Sequence, residues 1–118
     1  MADVLLRFST PTQPWSINME RTKHWSWRSK RVKAWRLRAF YEARVEGLGP
    51  MPPSIVTVSL PFDRAGRRDP SNYLPAVKAI VDGLVDAELW PDDTPEYVSV
   101  AEPILTVGGQ VEVRITVQ

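Results

Sequence analysis

Residues 69–93 read DPSNYLPAVKAIVDGLVDAELWPDD, and the way this stretch folds decides the rest. Tyr73, Val77, Ile80, Val81, Leu84 and Val85 recur at spacings of three and four, the repeat of one helical face. Lys78, Asp82 and Asp86 follow one another at intervals of four on a second face, so the segment predicts an amphipathic helix with a charged stripe. Pro75 fits the first turn, where its missing N–H has no partner within the helix. Asp69, Ser71 and Asn72 are residue types that cap such a start, and Pro91-Asp92-Asp93-Thr94-Pro95 reads as a turn.

Upstream of this block, Ile55, Val56, Val58 and Leu60 form a β-branched run closed by Pro61 and the polar loop from Asp63 to Arg68, which predicts a strand. Downstream, Tyr97 to Val107 and Val111 to Val117 read as two strands. Gly108-Gly109 between them is a two-residue hairpin signal. At the other end of the chain, Val4 to Phe8 predicts a short strand running into Pro11 and Pro14. From Trp25 to Glu46, Arg28, Val32, Trp35, Ala39 and Ala43 keep helical spacing until Gly47 and Gly49-Pro50 end the pattern. The element order is βαβαββ. It points to a single α+β domain over residues 1–118, with a mixed sheet, an antiparallel terminal hairpin and two helices on one face.

The 118 residues suffice for one core, and with no cysteine the chain has neither a disulfide framework nor a thiolate nucleophile or zinc ligand. No stretch approaches a membrane span, and no charged leader with an apolar run opens the chain, so the expectation is a cytoplasmic protein without a membrane partner. The net charge of +1 conceals a polarity. Residues 1–68 carry 13 Lys and Arg against 5 Asp and Glu, a net +8, whereas residues 69–118 carry 2 against 9, a net −7. A basic half suits a polyanion, and a compact acidic segment suits a cation or catalytic carboxylates; two halves that neutralise each other within one fold are the alternative.

On the basic helix Lys30, Lys33 and Arg44 project away from the apolar face, flanked by Arg31 and Arg38, with Leu37 and Tyr41 in the same sector. Interleaved cations and aromatics suit phosphate neutralisation with base or sugar contact, and a plain solvated face is the competing reading. Trp15, Trp25, Trp27 and Trp35 lie in or before this segment. Trp35 falls on the core face, and the others suit base stacking, a second subunit or ordinary burial. His24, the one histidine, builds neither a histidine metal site nor a Ser-His-Asp arrangement and reads as a loop residue. No Gly-rich phosphate loop is present, so no nucleotide cofactor is expected.

The series Arg67-Arg68-Asp69-x-x-Asn72, Lys78-x-x-x-Asp82-Gly83-Leu84 and Trp90-x-Asp92-Asp93 resembles the RusA-type Holliday junction resolvases, small endodeoxyribonucleases of bacteria and their phages. The likeness covers nearly the whole chain. It includes the length, the element order, Pro14-x-Ser16-x-Asn18 and the late Gly-Gly pair. It implies a homodimer that binds four-way junction DNA and, with Mg²⁺ or Mn²⁺, nicks two strands symmetrically near the crossover. Carried over by matched position, Asp69, Lys78 and Asp93 are the catalytic residues, and Asp69 and Asp93, with the acidic positions Asp92 and Asp82, are the metal ligands. Arg67, Arg68, Lys30, Arg31, Lys33, Arg38, Arg44 and Asn18 would hold the DNA. One departure stands out: where the family has Asp-x-Asp-Asn, this chain has Asp69-Pro70-Ser71-Asn72, with a neutral oxygen in place of a carboxylate. A junction- or branched-DNA-binding protein with an impaired metal site, and a structural subunit without DNA affinity, are the other two readings.

Overall fold

The computed structural model describes residues 3–118. In chain order it contains β1 (Val4–Phe8), α1 (Ile17–Arg21), α2 (Trp25–Val45), β2 (Ser54–Phe62), a 3-10 turn (Pro70–Tyr73), α3 (Leu74–Asp86), β3 (Val98–Val100), β4 (Ile104–Val107) and β5 (Val111–Val117). This is the expected α+β class with a mixed sheet. Alternate residues of the strands are buried: Leu6 and Phe8, then Val56, Val58, Leu60 and Phe62, then Val111, Val113 and Ile115. One face of the sheet is therefore sealed, and the apolar faces of α2 and α3 join it in one core.

Alanine lines the helix contact. Trp35, Ala39 and Ala43 are the buried residues of α2, and the small side chains allow α3 to approach so closely that a Cβ built on Gly83 would lie 2.2 Å from the Arg36 carbonyl oxygen. Gly83 is thus explained by packing, since the backbones meet where no side chain fits. Trp15 and Trp35 are both fully buried and meet edge to face at 5.2 Å; their indole N–H groups donate to Glu20 Oε2 (2.7 Å) and Thr12 Oγ1 (3.0 Å). Trp90 is also core and donates to the Pro52 carbonyl. Ordinary burial therefore accounts for three tryptophans, whereas Trp25 is 74% exposed.

The sheet order is β1-β5-β2, with β3 and β4 both pairing with the free side of β2. β5 runs antiparallel to β1 and β2, while β3 and β4 run parallel to β2. This corrects the terminal hairpin. Gly108 and Gly109 have φ of +73° and +81°, as a tight hairpin would require, but they carry the chain over the end of β2. There the Gly108 N–H donates to the Phe62 carbonyl at 2.8 Å, and β5 enters on the far side of β2. The predicted strand from Tyr97 to Val107 is also split. Val100 pairs with Val56 and Ile104 with Ser59, so residues 101–103 face two residues of β2, a bulge containing Pro103, which has no N–H to give.

β2 extends past Pro61 to Phe62. Pro61 lies beyond the last β2–β5 register pair at Ser59, on a stretch bordered by β4 alone, so its missing N–H removes no bond to β5. The short helix α1 was not expected in the loop after Pro14. Ser16 starts it by accepting a hydrogen bond from the Met19 N–H at 3.1 Å. His24, expected as a loop residue, caps α2: its Nδ1 accepts from the Ser26 N–H.

Candidate active site

Residues 69–93 fold into two pieces. At the entrance, Asp69 caps the 3-10 turn, its Oδ1 accepting from the Ser71 N–H (3.1 Å) and the Ser71 hydroxyl (2.9 Å). Pro70 lies inside this turn and Pro75 in the first turn of α3, so both prolines sit where a helix start needs no N–H. Capping is thus one role that Asp69 performs in the folded chain.

The second piece is centred on Lys78. Its ammonium donates to Asp82 Oδ1, one helical turn on, at 2.7 Å, and to Asp93 in the loop after α3. The Asp93 N–H in turn donates to Asp92 Oδ1 at 2.8 Å. Asp82 also lies 3.9 Å from the Arg36 guanidinium, and Arg36 holds Asp86 through two hydrogen bonds. The chain Asp93–Lys78–Asp82–Arg36–Asp86 therefore ties α2, α3 and the following loop together by alternating charge. Arg36 was not singled out from the sequence. Its signal was Asp82 and Asp86 spaced one turn apart, which asks for a cation but does not say from which helix.

The network sets the charge states of its members. Hydrogen bonding and attraction from Lys78 hold the Asp93 carboxyl below the usual carboxylate range, against a smaller effect of burial. Burial is the largest single influence on Lys78 and lowers it, but the two carboxylates together outweigh burial and raise the ammonium above its ordinary value. Asp86 is lowered by its hydrogen bond to Arg36, and Arg36 is raised by the same bond. Lys78 and Asp93 are both charged at neutral pH.

Structure thus brings Lys78, Asp82 and Asp93 together, with Asp92 beside them, while no hydrogen bond or ion pair joins Asp69 to them among the described residues. Among the described residues, no three Asp, Glu, His or Cys side chains gather closely enough to hold a metal ion. Magnesium does not need such a cage: it is commonly held by one or two carboxylates together with water and substrate phosphate oxygens. Asp82 and Asp93, from two different elements, already share one positive charge between them. That donor pair fits a divalent ion completed by water and a substrate phosphate, whereas Asp69 and Ser71 bond to each other at the 3-10 turn.

The residues expected to hold DNA divide by their commitments. Lys30, Lys33, Arg44 and Arg67 are exposed and form no ion pair among the described residues, and Asn18 is exposed on α1. Arg38 is engaged within the fold: it pairs with Glu42 at 2.8 Å, donates to the Ser9 carbonyl and lies over the Phe8 ring. Arg31 stacks on Trp27 at 4.2 Å and Arg68 on Phe62 at 4.0 Å. No described helix is long and apolar enough to cross a membrane. Compared with protein-family models and with curated proteins, the chain matches none.

Proposed function

We propose that this chain is a Mg²⁺-dependent, structure-selective endodeoxyribonuclease that binds four-way junction DNA as a homodimer and introduces paired nicks, as its likeness to the RusA-type resolvases implies. The observation that carries the reading is the convergence of Lys78, Asp82 and Asp93 from a helix and the loop that follows it. A Mg²⁺ or Mn²⁺ held there would supply an activated water and stabilise the charge that develops on the phosphate. Asp82 and Asp93 would hold that ion, with Asp92 next to Asp93 in the same loop. Lys78 carries a positive charge to the same place, where it can neutralise a phosphate oxygen or orient the attacking water. Arg67 and the exposed cations of α2 contribute attraction for the backbone, and a two-fold pair of chains presents two such sites to two opposed strands.

Nicking of a synthetic four-way junction, measured with and without Mg²⁺, tests the reading. Asp93→Asn is expected to abolish nicking while junction binding persists; cleavage at the wild-type rate by that variant sinks the assignment. A second reading has an observation of its own. Ser71 stands where a carboxylate is expected, and it engages Asp69 as a cap. This favours a junction-binding protein without cleavage. Junctions bound but never cut, with no metal detected by titration, would select it, and Ser71→Asp would then be the variant expected to restore nicking.

A further inference from the structure

At the 3-10 turn that Asp69 caps lies a cleft of about 400 Å³ between the start of the helical layer and the end of β2, lined in part by Gln13, Ser16, Met19, Arg31, Arg68 and Tyr73. It joins two parts of the sequence that are far apart, the Pro14–Asn18 motif and the entrance of the acidic block. Two guanidinium groups face this space, and neither has a carboxylate partner among the described residues. Each lies over an aromatic ring, Arg31 over Trp27 and Arg68 over Phe62, and Arg68 Nη1 also donates to the Arg64 carbonyl at 3.0 Å, so both groups are positioned before anything binds. The Arg31 Nε–H is closed to solvent and has no acceptor among the described residues, which leaves the Nη groups as the donors open to a ligand.

We infer that this cleft binds one unpaired nucleotide of the DNA substrate, its phosphate held between Arg31 and Arg68 and its base against the Tyr73 and Met19 wall. Charge argues for the phosphate, since two planar forks without a counter-ion match phosphate geometry. Size argues for more than phosphate. A water's share of liquid volume is about 30 Å³, so a cleft of this volume leaves room for a sugar and a base beside the anion. The mixed lining agrees, because the exposed Met19 side chain offers apolar surface that phosphate alone does not use. A cleft of this size takes at most a single nucleotide, which a branch point frees from stacking more readily than a paired duplex does. The cleft thus gives a physical source for preferring branched DNA.

This inference rests on the reading of the chain as a DNA-binding protein, and its test works without metal so that the two can fail separately. The full chain, labelled with ¹⁵N and kept in EDTA, is titrated with thymidine 5′-monophosphate, with inorganic phosphate and with thymidine while side-chain resonances are followed. The nucleotide is expected to shift the Gln13 amide and the Arg31 and Arg68 Nε–H signals, with phosphate at least tenfold weaker and thymidine without effect. Arg31→Gln and Arg68→Gln should each weaken nucleotide binding about tenfold or more, with unfolding midpoints confirming that both variants fold. Arg68→Lys, which keeps charge and loses the planar fork, should fall between. Absence of shifts at millimolar nucleotide, shifts that survive both Gln substitutions, or equal binding of phosphate alone would each overturn the nucleotide cleft. Nucleotide binding by a chain that never nicks a junction supports the cleft and removes the endonuclease reading. Nicking by a chain whose cleft ignores the nucleotide does the reverse.

Discussion

At Lys78 one ammonium serves carboxylates from two elements, and its partners make the pair responsive to pH at both ends of the scale. Asp93 is held low chiefly by its hydrogen bond from Lys78, so its contribution is present above the unfolded carboxylate value of about 3.9 and is lost as pH falls through the lower folded value. Lys78 is raised by Asp82 and Asp93 against burial. Its contribution is therefore complete below the unfolded value of about 10.4 and is lost as pH rises through the higher folded one. Comparing the wild type with Lys78→Met by urea unfolding should show a stability gap that is flat from about pH 5 to 9 and narrows on both sides. Because the Lys78 side chain is 61% exposed, the plateau should be ~1 kcal/mol or less. A gap that persists unchanged at pH 3 would show that methionine disturbs something other than the ion pairs. The Lys78–Asp82 pair was legible from its spacing of four. The bridge to Asp93 was not, because fifteen residues of helix and loop separate its partners and only the fold decides where the loop returns.

Among the elements, α3 was the most legible, since a wide apolar face, a proline at the start and a charged stripe all required the same helix. The terminal strands were misread for a definite reason. Two successive glycines with positive φ are the local signature of a hairpin, yet the same conformation serves a link that steps over β2, and the choice is made by strand register, which no local motif encodes. The short α1 escaped because five residues carry too little periodicity to register. Where α3 crosses α2, the glycine of the Asp-Gly-Leu motif makes a sharp prediction. Alanine at position 83 gains about 1 kcal/mol of helix propensity, but its Cβ would meet a backbone carbonyl and the Ala39 side chain, neither of which can swing aside. Gly83→Ala should therefore lose roughly 1–3 kcal/mol net, as overpacked contacts do. Thermal unfolding checks it: a variant as stable as the wild type would mean that the helices part without cost.

Across the whole molecule, the opposed charges of the two halves are partly used up inside the fold. Arg36 of the basic half answers Asp82 and Asp86 of the acidic half, whereas Arg28 and Arg38 find carboxylates within their own half. What the sequence could not show was this division of the cations into those spent on the fold and those left over. Lys33 and Arg44 belong to the second group, exposed on α2 and outside every ion pair among the described residues. If they neutralise DNA phosphates, each releases counter-ions on binding, and the logarithm of affinity falls with the logarithm of salt by about 0.9 for each phosphate contact. The double variant Lys33→Gln, Arg44→Gln should then bind a four-way junction more weakly at low salt and show a shallower slope, reduced by about 1–2. Arg38→Gln supplies the contrast, since its guanidinium is already held by Glu42 and the Ser9 carbonyl. That substitution should lower stability more than it changes the slope. Binding measured from low to moderate salt for all three chains decides the point, because a slope unchanged in the double variant would place the DNA on another face of the molecule.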